Sequence, residues 1–155
     1  MDSADDIIRA IEAAFAGVGR GRVTLHEAEV MDAYGSEAER GEARRRDRED
    51  DWTEVPAASI EECPTALSFL DPESWRFYLP AYMRLALLRL GQQHNDAIDQ
   101  AIYSLDGGTP ERFRILNPAQ ARAVRRFLAF AAEHEAHCDA TVAKQALDTH
   151  WSSVS

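Results

Sequence analysis

The chain has few cysteines, almost no lysine and no long apolar run. Its two cysteines, Cys63 and Cys138, are not spaced as metal ligands, and we expect them to be free thiols. Lys144 is the one lysine among 17 basic residues, which together with abundant alanine is typical of a GC-rich bacterial genome. The longest apolar stretch, residues 79–90, contains two arginines and is too short to cross a bilayer.

The beginning of the sequence lacks the features of an export signal. Residues 1–6 read MDSADD, with no basic region and no apolar stretch behind them. The sequence therefore predicts a cytoplasmic protein.

Positive charge is also scarce. The 27 acidic and 17 basic residues give a formal net charge of −10. A field of that sign repels nucleic-acid phosphates and attracts a basic protein. We therefore expect no nucleic-acid partner and no membrane partner, and the charge favours a basic protein partner.

Strand patterns are missing, whereas helix starts are frequent. Three capping boxes, at Ser3, Thr24 and Asn117, predict helix starts. Residues 113–116 are the one place where a short strand is conceivable. With 155 residues, 45% of them hydrophobic, the chain is predicted to form a single helical domain over residues 1–155. We expect an all-α, irregular bundle of about six or seven helices.

Residues 36–51, SEAERGEARRRDREDD, contain no apolar residue larger than alanine. Opposite charges three or four positions apart, such as Glu42 and Arg46, indicate an exposed helix held by ion pairs, or a mobile connector. We predict that Trp52 anchors the following chain to the core.

The segment from Leu67 to Leu90 is the most informative part of the sequence. Asp71 followed by Pro72 predicts a helix start. Pro80 is expected to kink or break that helix, and the apolar part after it to form a buried central helix. The aromatic residues of this segment favour core packing, with a ligand pocket near the break as the alternative. The pocket would lie near Trp75, Tyr78, Pro80 and Tyr82.

Two parts of this segment resemble the signature of a family of small bacterial domains of unknown function. They are residues 69–73, FLDPE, and residues 75–83, WRFYLPAYM. Similar pieces follow the same order at residues 23–28, 51–52 and 116–120. The family has no assigned activity, so the resemblance implies a fold and no catalytic residues.

The sharpest candidate for chemistry is residues 133–139, EHEAHCD. On a helix, His134 and Cys138 would share one face, as would Glu133 and His137. Histidine and cysteine suit zinc, but a zinc site needs three or four ligands and each face offers two. His134, His137 and Cys138 are therefore weak metal candidates, and a solvated polar face is the favoured interpretation.

Two other motifs have ordinary interpretations. The glycines of residues 17–21, GVGRG, fit neither known phosphate-binding spacing, so a helix connector is expected. His26 and Glu27 offer acid–base groups, but Glu27 has a structural role in the capping box.

Two functions remain. The first is a non-enzymatic protein-interaction domain, an adaptor or an immunity-like protein, because no complete catalytic set is present. The alternative is a small metal-dependent enzyme or metal-binding protein that uses His134, His137 and Cys138. No cofactor and no particular oligomeric state is indicated.

Overall fold

The computed structural model describes residues 2–107 and 110–154, which contain nine α-helices and no strand. The helices are α1 (Ala4–Ala14), α2 (Leu25–Asp32), α3 (Glu37–Arg46), α4 (Ala57–Glu62), α5 (Pro72–Leu88), α6 (Asp96–Asp106), α7 (Pro110–Arg114), α8 (Pro118–Ala132) and α9 (Ala140–Ala146). Short 3₁₀ turns cover Trp52–Glu54 and Ala66–Ser68, and a π turn covers Leu147–Trp151. The predicted all-α, irregular bundle is confirmed. Three of the helices, α4, α7 and α9, have seven residues or fewer, which is why the predicted number was smaller.

Helix α5 is the buried central helix that the sequence predicted. It packs against α1, α6 and α7, and Trp75, Phe77, Tyr78 and Tyr82 on it are all buried. Of the two outcomes predicted for Pro80, a break is wrong, because α5 continues through it, and a kink stays a prediction. A proline inside a helix costs about 3 kcal/mol, and burial of most of the α5 surface outweighs that cost.

Buried aromatic side chains with a polar group form hydrogen bonds through it. The Trp52 indole donates to the Phe15 carbonyl at 2.9 Å, which confirms that Trp52 anchors this part of the chain. The Tyr82 hydroxyl donates to the Cys63 carbonyl at 2.6 Å, which ties α5 to the end of α4. A buried donor without a partner would cost about 1–3 kcal/mol, so these bonds fix the helices in register.

The charged residues 36–51 form helix α3 and its exit. Most of them are exposed, but Ala43 and Asp47 are buried. Three consecutive arginines each contact a carboxylate, in the pairs Arg44–Glu27, Arg45–Glu42 and Arg46–Glu62. The sequence left open an exposed helix held by ion pairs or a mobile connector. The structure agrees with the first, the helix held by ion pairs.

Two further predictions concern the later part of the chain. The short strand conceivable at residues 113–116 is absent, since Phe113 and Arg114 belong to α7. The sequence also predicts a helical pattern from α8 to Trp151 with a possible break near Cys138 and Asp139. The break is present but longer, since α8 ends at Ala132 and helix resumes only at Ala140. Across residues 2–107 and 110–154, the structure contains no helix with the length and apolarity needed to cross a membrane.

Candidate functional site

The weak metal candidates do not come together as ligands. Residues 133–139 are not helical, so the spacing that would place His134 and Cys138 on one face does not apply. The His134 ring stacks on Phe130 with centroids 4.0 Å apart, and its Nδ1 lies 2.6 Å from the Phe130 carbonyl oxygen. In the described part of the chain, no group of three or more His, Cys, Asp or Glu side chains is arranged to hold a metal ion.

Both cysteines are free but poorly suited to act as nucleophiles. Burial raises the pKa of the Cys63 thiol well above its ordinary value, and nearby carboxylates, Glu29 first, raise it further. Burial, together with Asp99 and Asp139, raises the pKa of Cys138 to about 11. Since the thiolate is the reactive form, both thiols are expected to be nearly inert at neutral pH.

A buried histidine, His26, lies between two carboxylates in a polar cluster. His26, in the first turn of α2, has Nδ1 2.6 Å from Asp47 Oδ1 and Nε2 2.8 Å from Glu62 Oε2. Asp47 Oδ2 also accepts the His26 backbone N–H at 2.8 Å. The hydrogen bond from His26, and then Arg46, lowers the pKa of Glu62.

The geometry of this cluster suits a structural role better than a catalytic one. His26 is buried, and both of its ring nitrogens are engaged by carboxylates, so neither is free to exchange a proton with a substrate. The three side chains come from α2, from the residue after α3 and from the end of α4. The cluster therefore joins three elements that the backbone connects only through turns. Sequence reasoning noticed His26 but not Asp47 or Glu62, because they lie 21 and 36 positions away.

The aromatic residues predicted to surround a pocket lie mainly in the core. Trp75, Tyr78 and Pro80 are buried within the packing of α5. Tyr82 contributes to the lining of a pocket between α4, α5 and α6. A pocket formed by all four of these residues stays a prediction.

The turn between α2 and α3, residues 32–37, presents an unusual residue to solvent; we call it the Tyr34 turn. The Gly35 N–H donates to the Val30 carbonyl at 2.8 Å, and the Tyr34 N–H donates to the Met31 carbonyl at 3.1 Å. This pair of bonds is a Schellman motif, which places its left-handed residue at Tyr34. Tyr34 has φ +58°, and its side chain is 96% exposed.

Glycine normally occupies that left-handed position because it has no Cβ. Glycine is required at the next position, Gly35, for another reason, since a Cβ there would lie 2.3 Å from Val30 Cγ1. The left-handed conformation itself falls one residue earlier, on Tyr34. Residue preference alone would place this conformation on Gly35, one position too late.

Acidic residues surround the Tyr34 turn. Residues 27–39 contain five acidic residues and no lysine, arginine or histidine. Glu27 is buried and paired with Arg40 and Arg44 of α3. The other four, Glu29, Asp32, Glu37 and Glu39, form no ion pair with any residue that the structure describes. The turn therefore combines an exposed aromatic ring with four acidic residues that have no ion-pair partner among the described residues.

Comparison with known proteins places this fold in a family. No curated protein and no solved structure matches the chain. A family profile described as "Family of unknown function (DUF6714)" matches residues 3–155. This match covers nearly the whole domain, including the central helix whose residues carried the resemblance seen in the sequence. The chain belongs to this family of unknown function, DUF6714.

Proposed function

We propose that this chain is a non-enzymatic interaction domain that binds a basic protein partner through the Tyr34 turn. The observation that carries the proposal is the exposed Tyr34 ring on a left-handed residue. A tyrosine in that conformation costs roughly 1–2 kcal/mol relative to the ordinary helical region. Its exposed ring makes no packing contact large enough to offset this cost within the domain.

Residues in strained conformations that serve no internal packing concentrate at functional sites. Tyrosine is one of the residue types enriched among those that dominate binding energy at protein interfaces. A ring that projects from a tight turn loses little conformational freedom on binding, because the turn already fixes the backbone. The Tyr34 turn therefore has the properties of an interface anchor.

The charge around the anchor defines the class of partner. Glu29, Asp32, Glu37 and Glu39 lie within five positions of Tyr34 in the sequence, and none of them forms an ion pair among the described residues. Complementary charge accelerates encounter and disfavours partners of the same sign. A basic protein surface with a pocket for an aromatic ring is the partner that these features fit.

The proposal extends to the setting of the domain. We place the domain in the cytoplasm of a bacterium, where two free thiols would stay reduced. The preference for arginine over lysine in its composition supports a GC-rich bacterial source.

The test separates binding from stability by comparing two substitutions at one position. Tyr34→Ala removes the ring and keeps the cost of the positive φ, so its stability should stay within about 0.5 kcal/mol of the original. Tyr34→Gly removes both the ring and the energetic cost of the positive φ. The free energy of unfolding of this variant should therefore rise by up to about 1 kcal/mol. Leu88→Ala, at a leucine that is 59% exposed on α5, is the control for loss of an exposed apolar group elsewhere.

Each protein is used to capture partners from the native host, and a captured partner is then purified and titrated. Both Tyr34 variants should bind this partner at least about 30-fold more weakly than the original protein. A loss of that size corresponds to about 2 kcal/mol of binding free energy contributed by the ring. Leu88→Ala should bind as the original does, and affinity should fall as salt rises. Partner binding that is unaffected by either Tyr34 variant, or capture of acidic proteins only, would contradict the proposal.

A further inference from the structure

A second feature, separate from the Tyr34 turn, is a pocket between the end of α4, the second half of α5 and the start of α6. Its volume is about 450 Å³, and its apolar lining includes Ile60, Tyr82, Leu85 and Ala97. Ligand sites for small molecules usually enclose about 300–1,000 Å³ and have mainly apolar walls with a few polar groups. A pocket of this size exceeds the needs of one amino-acid side chain.

The charged residues at the rim of this pocket include one carboxylate without an ion-pair partner among the described residues. Arg89 and Glu61 form an ion pair that joins α5 to α4 beside the pocket. Asp96, the first residue of α6, is exposed and has no hydrogen-bond or ion-pair partner within residues 2–107 and 110–154. With the arginine and one glutamate paired, the charged rim residues sum to one negative charge.

The α6 start carries a second unpartnered acceptor. The Asn95 side chain does not cap α6, because its Nδ2 donates to the Ala86 carbonyl at 2.9 Å. Asn95 Oδ1 is buried and has no hydrogen-bond partner among the described residues. A buried acceptor without a donor is unfavourable. His94 and Gln100 also line the pocket, so its polar lining holds side-chain donors as well as the Asp96 carboxylate.

The connection that closes this side of the pocket has an unusual backbone. Gly91 has φ +82°, and His94, which lines the pocket, has φ +61°. A non-glycine residue in this region is uncommon and concentrates at ligand sites. The connection between α5 and α6 thus holds His94 and Asn95 at the pocket in a conformation that the chain would not adopt by local preference.

We infer that this pocket binds a small organic cation, an amine or a guanidine with an apolar body. Its charged group pairs with Asp96, the rim carboxylate that has no ion-pair partner among the described residues. The apolar body of the ligand packs against Ile60, Leu85 and Ala97. This site is independent of the Tyr34 turn, so either can exist without the other.

The experiment uses two probes of similar shape and opposite charge, 2-phenylethylamine and 3-phenylpropionate. Each is titrated into ¹⁵N-labelled protein while the amide signals are followed by NMR. The amine should give saturable shifts centred on Ala97 and Gln100, and the carboxylate should bind at least about tenfold more weakly.

Asp96→Asn should weaken amine binding about tenfold with an unchanged melting temperature, because its carboxylate has no internal partner. Asp148→Asn, at an exposed aspartate after α9, is the charge-matched control and should leave amine binding unchanged. Gln100→Trp should fill the pocket and abolish the shifts. Equal binding of both probes, amine binding that survives Asp96→Asn, or the absence of saturable shifts would overturn the inference. Binding of arginine-containing peptides without binding of the free amine would also overturn it, in favour of a site for a partner side chain.

Discussion

His26 and Asp47 form two hydrogen bonds with each other, one from the backbone N–H and one involving the ring. The distances are 2.8 Å from the His26 nitrogen to Asp47 Oδ2 and 2.6 Å from Nδ1 to Oδ1. Asp47 is 3% exposed, so both of its oxygens are used in the interior. The pair fixes the start of α2 against the chain that leaves α3.

Removal of the Asp47 carboxylate should strongly destabilise the protein. Asp47→Ala leaves the His26 N–H and ring nitrogen buried without acceptors, which should cost about 3 kcal/mol in the free energy of unfolding. Asp50→Ala is the matched control, because that side chain is 93% exposed and 4.0 Å from Arg20, and it should change stability by less than about 0.5 kcal/mol. Urea denaturation of both variants provides the measurement. Equal stability of the two would show that the buried pair contributes little.

Glu62 should make the stability of the domain depend on pH in the acidic range. The hydrogen bond from His26 and the charge of Arg46 lower the pKa of Glu62 in the folded protein. A carboxyl group with a lowered folded pKa stabilises the protein above its unfolded pKa, near 4.5, and loses that contribution as pH falls through its folded pKa.

The difference in stability between the original protein and Glu62→Gln should therefore be constant near neutral pH. It should shrink as the solution is acidified below about pH 4.5. Thermal unfolding at a series of pH values measures this difference. A gap that widens on acidification would have the wrong sign for this explanation.

Two glycines of the connector between α1 and α2 should respond very differently to alanine. A Cβ at Gly21 would lie 2.3 Å from Ser74 Oγ and 2.6 Å from Ser74 Cα, so backbone would have to move. Gly21→Ala should cost roughly 2–3 kcal/mol. Gly19 has no atom within 4 Å of such a Cβ, and Gly19→Ala should be neutral or slightly stabilising, by about 0.5 kcal/mol. Similar melting temperatures for the two variants would contradict the close approach of Gly21 to α5.

The two thiols should be protected from alkylation in the folded protein. With a pKa of about 11, Cys138 has on the order of one thiolate in a thousand at pH 8, and Cys63 is buried with its pKa raised further. Iodoacetamide at pH 8 should therefore modify both slowly, and much faster after unfolding in guanidinium chloride. Mass spectrometry of timed samples gives the rates. Labelling of folded Cys138 at the unfolded rate would show that it is more accessible than its surroundings indicate.

Local features of this fold could be predicted from the sequence, because their partners are three or four residues apart. The capping boxes at Ser3 and Asn117 are present as predicted, with both reciprocal bonds in each. The start at Asp71 and the burial of the α5 aromatics follow equally from local pattern. Pro80 was misjudged because local preference opposes the helix, whereas tertiary packing decides it.

The candidate sites depend on relationships that local pattern does not contain. The partners of His26 are distant in sequence, and no spacing rule brings Asp47 and Glu62 to it. The left-handed conformation fell on Tyr34 although the adjacent Gly35 is the better residue for it, so preference alone predicts the wrong position. The pocket likewise combines residues from three helices whose packing is set by the whole core.

The limited anchoring of α3 has a consequence for local opening of the native protein. Of its ten residues Ala43 alone is buried, so α3 can detach without exposing the hydrophobic core that surrounds α5. Its attachment rests mainly on Asp47 and on ion pairs, which salt and acid weaken. In hydrogen exchange, we expect the amides of α3 to form a separate unit that opens at low free energy, while the amides of α5 exchange only on global unfolding.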